Sequence, residues 1–236
     1  GGGGIIIGDW DMVEAMTNEA VDRIRQIGGA WGNLTVSFRN LAAVAFIRGN
    51  WERARTIIEE GMAVGREYEA WEQIQAFNFQ QSVWHLLRGE YAAALSEAEQ
   101  AVAIGQKMIP QDEDRFQRRY PLAARGCARC GLGDPLAGAD DLFKSLRWMA
   151  DPPAANVAQR LALVGIASVY AAQGAPEQAA EVLASVLHDR LTPTWWAERE
   201  PLTQRLLTTC GRDAYPQAWA TGAQVSVLDR LQQLET

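Results

Sequence analysis

GNW at 49–51 is the stretch that decides the fold, because it has copies. GDW stands at 8–10 and GEY at 89–91, and looser echoes follow in GDP (133–135) and GAP (174–176). The five glycines are 41, 40, 44 and 41 residues apart. A period of this size describes a stack of similar units, each burying its apolar face against the next. The residues around the glycines repeat with them. Seven before the last four stand Ala42, Ser82, Gly126 and Ala167. Five after all five stand Val13, Ala54, Ala94, Gly138 and Ala179. Nine after come Thr17, Ile58, Ala98, Leu142 and Leu183, and twelve after come Ala20, Gly61, Ala101, Ser145 and Val186.

Spacings of four and three on both sides of the glycine are helical. The unit is therefore helix, glycine turn, helix. Glycine closes the first helix in the left-handed conformation, and the acidic or amide residue after it caps the second. The spacing predicts helices over 9–27, 31–48, 51–67, 71–88, 91–108, 113–131, 135–149, 154–173, 176–190 and 194–209. Pro110, Pro135, Pro152, Pro153, Pro176 and Pro193 fall at their boundaries, and Pro121 and Pro201 fall in or near first turns. The fold class is all-α: about five helix pairs in a right-handed solenoid, period near 41, spanning 9–210, with capping helices over 211–236. Residues 1–8 (GGGGIIIG) read as a linker.

The chain has 236 residues and a net charge of −7, which argues against a bare nucleic-acid-binding module. No apolar run approaches the roughly 18 residues of a membrane span. Three cysteines, Cys127, Cys130 and Cys210, do not describe a disulfide framework, so a reducing, cytoplasmic setting is expected.

The pattern of small, large and small residues about the turn glycine resembles that of the tetratricopeptide repeat, although the usual period there is shorter. A period near 40 resembles the helical repeat regions at the C-terminal end of bacterial LuxR-type regulators with a STAND ATPase module and of related signalling proteins. DAYPQAWATGAQVSVLDRLQQLE (213–235) resembles the segment that closes such stacks, through Tyr215, Ala218, Trp219, Gly222, Val227 and Leu231. A helix of the second type at the start, with no first helix before it, is what a piece of a longer protein would show.

The chemical motifs are sparse. Cys127 and Cys130 have no partners at zinc spacing and no strand–helix context for redox work, so they read as packed thiols. His85 and His188 are isolated, and no triad or phosphate loop is present. Arg115, Arg118, Arg119, Arg125 and Arg129 form a basic cluster; Arg118, Arg125 and Arg129 are the candidate anion site, against the alternative of a solvated face paired with Asp112 and Glu113.

What the resemblance implies is a concave face lined by first helices. Its exposed positions are Val36, Arg39, Ala43 and Phe46, then Ala76, Phe79, Val83 and Leu86, then Tyr120, Ala123 and Cys127. Arg39, Phe46, Phe79, Val83, Leu86 and Tyr120 are the candidate ligand-binding set. The carboxylate clamp that grips chaperone tails is not reproduced: its places hold Arg39 and Ala43, Gln80, then Tyr120 and Ala124, and Arg39 alone matches in charge. The expected function is a non-enzymatic interaction or effector-sensing module of a bacterial signalling or transcription-regulating protein. It needs no cofactor or metal and contacts neither nucleic acid nor membrane. Its partner is a peptide, a protein domain or a small effector, and a homo-oligomer is compatible with it. The alternatives are an enzyme with a site in the groove and a structural spacer or oligomerisation arm.

Overall fold

A computed structural model describes residues 10–28, 31–108, 119–146, 157–188 and 200–235. Among them are twelve helices and no strand: α1 (Trp10–Ile27), α2 (Trp31–Ile47), α3 (Trp51–Glu67), α4 (Trp71–Leu87), α5 (Tyr91–Met108), α6 (Arg119–Gly131), α7 (Pro135–Leu146), α8 (Val157–Ala172), α9 (Pro176–Leu187), α10 (Pro201–Cys210), α11 (Pro216–Gly222) and α12 (Val227–Glu235). The helices predicted up to residue 190 are found within a few residues of their expected bounds, apart from 9, 113–118, 147–149, 154–156 and 189–190, which lie outside the described residues. Pro201 opens α10, Pro121 sits in the first turn of α6, and neither breaks a helix. None of the described helices is long and apolar enough to cross a membrane.

The turns share one geometry. Gly49, Gly89, Gly133 and Gly174 have φ of 71°, 71°, 93° and 78°. The residue after each donates its N–H to the carbonyl five back: Asn50 to Ala45, Glu90 to His85, Asp134 to Arg129 and Ala175 to Tyr170. This is the Schellman closure, which needs a left-handed residue and so favours glycine. The same bond joins Ala70 to Gly65, with Glu69 holding φ 53° in the glycine's place. Gly28 has φ 72° after α1. Left-handed corners therefore recur about every 20 residues through residue 89, and α1 to α5 each open on an aromatic: Trp10, Trp31, Trp51, Trp71 and Tyr91. The caps were expected after every turn glycine. Asn50 accepts from Arg53 N–H at 3.3 Å and Asp134 from Ala137 N–H at 3.1 Å. Glu90 instead reaches back to His85 and Arg88, both at 2.8 Å.

Each helix from α1 to α9 packs on the next, and a second row of contacts joins α2 to α4, α4 to α6 and α6 to α8. The repeated small positions are the contact points. Ala42, Ser82 and Ala167, and Ala54, Ala94 and Ala179, are all 0% exposed. Of the residues at the four recurrent places, Ala20 alone is part-exposed. Where glycine stands there, two helices touch backbone to backbone: a Cβ on Gly138 would lie 2.6 Å from the Gly126 carbonyl oxygen. Gly61 makes room for the ring of Phe77. The larger core cluster surrounds α8, whose residues 158–169 are all buried. This mostly apolar helix, with Gln159 and Arg160 also carried inside, is enclosed by α6, α7, α9 and α10.

The C-terminal part closes against α9. Both α11 and α12 contact it, with Trp219, Val227 and Leu231 buried. Gly222 is pressed onto the Glu181 backbone, where a Cβ would meet its oxygen at 2.2 Å.

Candidate functional site

Three helices bring the site together. Gln80 of α4 donates its side-chain N–H to the Arg39 carbonyl of α2 at 3.0 Å, fixing the two helices in register. Gln75 anchors α4 on its other side, donating to the Ala101 carbonyl of α5 at 3.1 Å. Phe79 of α4 stacks on Tyr120 of α6, with centroids 5.5 Å apart and planes 30° apart. Between these ties lies a cleft of about 440 Å³. Arg39, Asn40 and Ala43 form one wall, Glu72, Gln75, Ala76, Phe79 and Gln80 the floor, and Tyr120 and Pro121 the other wall.

Arg39, Phe79 and Tyr120, predicted from three successive units, all line this cleft. Arg39 is part-exposed, and its guanidinium has no ion-pair or hydrogen-bond partner among the described residues. Phe79 and Tyr120 are half-buried, not lost between helices. Gln80, 9% exposed, was not assigned a binding role from the sequence; its Oε1 has no hydrogen-bond partner among the described residues.

The other candidates lie elsewhere. Val83 and Leu86 are core residues, 5% and 1% exposed, because the second half of α4 turns into the main cluster. Phe46 packs on Trp51 across the α2–α3 turn, with centroids 5.7 Å apart, and is absent from the cleft lining. Ala123 and Cys127 are covered because α8 approaches closely: Cys127 Sγ donates to the Leu161 carbonyl at 2.7 Å, and a Cβ on Gly165 would lie 3.2 Å from that sulfur.

Two members of the basic cluster, Arg125 and Arg129, are engaged in structural ion pairs. Arg125 grips Asp141 of α7 with two hydrogen bonds, at 2.7 and 2.6 Å, and Arg129 adds a third at 2.9 Å. Asp141 is 3% exposed, so its charge is met by this fork rather than by water. Asp141 holds both arginines, and Asp112 and Glu113 lie outside the described residues. Arg118 lies outside the described residues.

The three cysteines are free and buried. Burial raises the Cys127 thiol well above its ordinary value and pushes Cys130 up to about 12. Among the described residues no three His, Cys, Asp or Glu side chains are grouped to hold a metal ion. His188 lies edge-on to Trp219, and His85 bonds Glu90, whose pKa is lowered by Arg88 first and His85 second. A second cavity, about 280 Å³, includes Arg55, Glu59, Trp84, His85 and Glu90. Its arginine is answered by Glu59 at 2.8 Å, so it offers no unmatched charge like Arg39.

A buried carboxylate sits at the start of α10. Glu200 accepts from Leu202 N–H at 2.9 Å and Thr203 N–H at 2.7 Å, and the Tyr91 hydroxyl reaches it at 3.2 Å. Burial raises its pKa, with those hydrogen bonds opposing. Arg205 lies over the Tyr91 ring and donates to the Gly131 carbonyl at 3.0 Å. Together they tie α10 to the start of α5 and the end of α6. The chain matches no protein-family model and no curated protein.

Proposed function

We propose that this chain is a tetratricopeptide-like α-α superhelix acting as a non-enzymatic binding module of a bacterial signalling or transcription-regulating protein. Its ligand, a peptide, a partner domain or a small effector, enters the α2–α4–α6 cleft and places an anionic group on Arg39. The observation that carries this reading is the convergence of Arg39, Phe79 and Tyr120, about 40 residues apart in sequence, on one cleft. An arginine fork holds a carboxylate by two hydrogen bonds, and stacked aromatics present apolar area at low entropic cost. Binding shifts a multidomain protein between states only if the two differ in affinity for the ligand. The repeated corners and the buried small positions support the superhelical class.

The test is a thermal-shift screen of a small-acid and peptide collection against wild type and Arg39→Ala. A stabilising ligand whose effect disappears in Arg39→Ala is the expected result. Ligands that stabilise both proteins equally would place the binding site elsewhere.

A further inference from the structure

We propose that the α2–α4–α6 cleft holds a small organic acid, a planar apolar body carrying one carboxylate, and not an extended peptide laid over successive helix pairs. This rests on the binding role proposed above and names its ligand class.

Size is the first argument. At about 440 Å³ the cleft falls in the range of about 300–1,000 Å³ that small-molecule sites occupy. Its floor on α4 runs from Glu72 to Gln80, eight helical steps or about 12 Å of rise. An extended chain spans that in about four residues.

Continuity is the second. A peptide reading several units needs an inner face that stays open from one first helix to the next. Here the face closes at α6. Beyond Tyr120 the next two inward positions, Ala123 and Cys127, are 0% and 2% exposed. Residues 158–169 of α8 are buried throughout, and α10 lies against both α6 and α8. The buried Glu200 cap and the Arg205–Tyr91 contact hold α10 there. The open surface is therefore a pocket with an end, not a track.

Chemistry is the third. Arg39 is the single cation among the described lining residues, and it is unpaired there. Phe79 and Tyr120 supply a planar apolar wall. Gln80 donates to the Arg39 carbonyl and so holds that residue's helix against the floor, while its own oxygen is buried.

The experiment is isothermal titration of the full chain with 3-phenylpropionate and indole-3-acetate, with their primary amides, and with a pool of ten-residue peptides of random sequence. The acids are expected to bind, the amides at least tenfold more weakly. Arg39→Ala is expected to lose at least tenfold in acid affinity while melting with wild type, and Arg39→Lys to recover part of it. If the acids fail while the peptides bind in an Arg39-dependent way, the ligand class is wrong and the binding role stands. If neither acids nor peptides bind, or if both bind Arg39→Ala as well as wild type, the binding role falls too.

Discussion

Gly138→Ala probes the helix register most sharply. The added Cβ would lie 2.6 Å from the Gly126 oxygen and 3.3 and 3.4 Å from two further Gly126 backbone atoms. That is 0.8 Å inside the 3.4 Å at which ordinary contact begins. The obstacle is backbone, which has no rotamer to move to, so α6 and α7 must separate. Overpacking of this kind costs about 1–3 kcal/mol. Replacing a mid-helix glycine by alanine returns about 0.5–1 kcal/mol. The net loss is about 0–2.5 kcal/mol, or a Tm lower by up to about 10 °C for a chain of this length. Gly32→Ala is the control. Gly32 is helical, and a Cβ there meets nothing within 4 Å. It should raise Tm slightly, because only the conformational term acts. Thermal unfolding followed by circular dichroism reads both. Equal or parallel shifts in the two variants would show that α6 and α7 do not cross at Gly126 and Gly138.

Three further outcomes follow from particular residues. Glu69→Gly should stabilise by about 0.5–1 kcal/mol in urea unfolding, since it relieves a left-handed residue that costs about 1–2 kcal/mol and gives back part of that in chain entropy; a loss of stability would mean that the Glu69 side chain carries a contact. Glu200 has a folded pKa raised by burial, so its contribution is full below its unfolded value and is lost as pH rises through the folded one. Glu200→Gln should therefore gain on wild type in unfolding free energy as pH rises from about 4.5, and a constant difference would refute a buried, raised carboxylate. The three buried thiols should resist Ellman's reagent in the native state and react together on unfolding; fast native labelling of Cys127 or Cys130 would contradict their enclosure by α8.

Much of this architecture is written locally. The glycine turns, the small positions and the first-turn prolines are decided by residues within one unit, so their spacing reveals them. One corner of the rhythm is hidden, because Glu69 does the work of a glycine and gives no composition signal. Val83 and Leu86 look like groove residues by spacing alone. They are buried because α4 meets the main cluster there, which depends on how closely its neighbours approach. The partner of Arg125 and Arg129 lies on the next helix, in Asp141, a pairing that the crossing of α6 and α7 sets and spacing alone does not. The return of α10 onto α5 and α6 joins Glu200 to Tyr91 across 109 residues, and no short-range pattern encodes a contact of that kind. Of the site, the three residues that face inward at equivalent register positions were legible. Gln80 was not, since only the approach of α2 to α4 brings that amide to the cleft.

The central claim is that ligand enters between α2, α4 and α6. The most direct measurement is a backbone amide NMR titration of the full chain with 3-phenylpropionate, repeated on Arg39→Ala. The account predicts shifts concentrated at Arg39, Asn40, Ala43, Ala76, Phe79, Gln80 and Tyr120, growing to saturation in wild type and strongly weakened in the variant. Shifts gathered instead at the Trp84–His85 cavity or at α10, or the same shifts in Arg39→Ala, would contradict it.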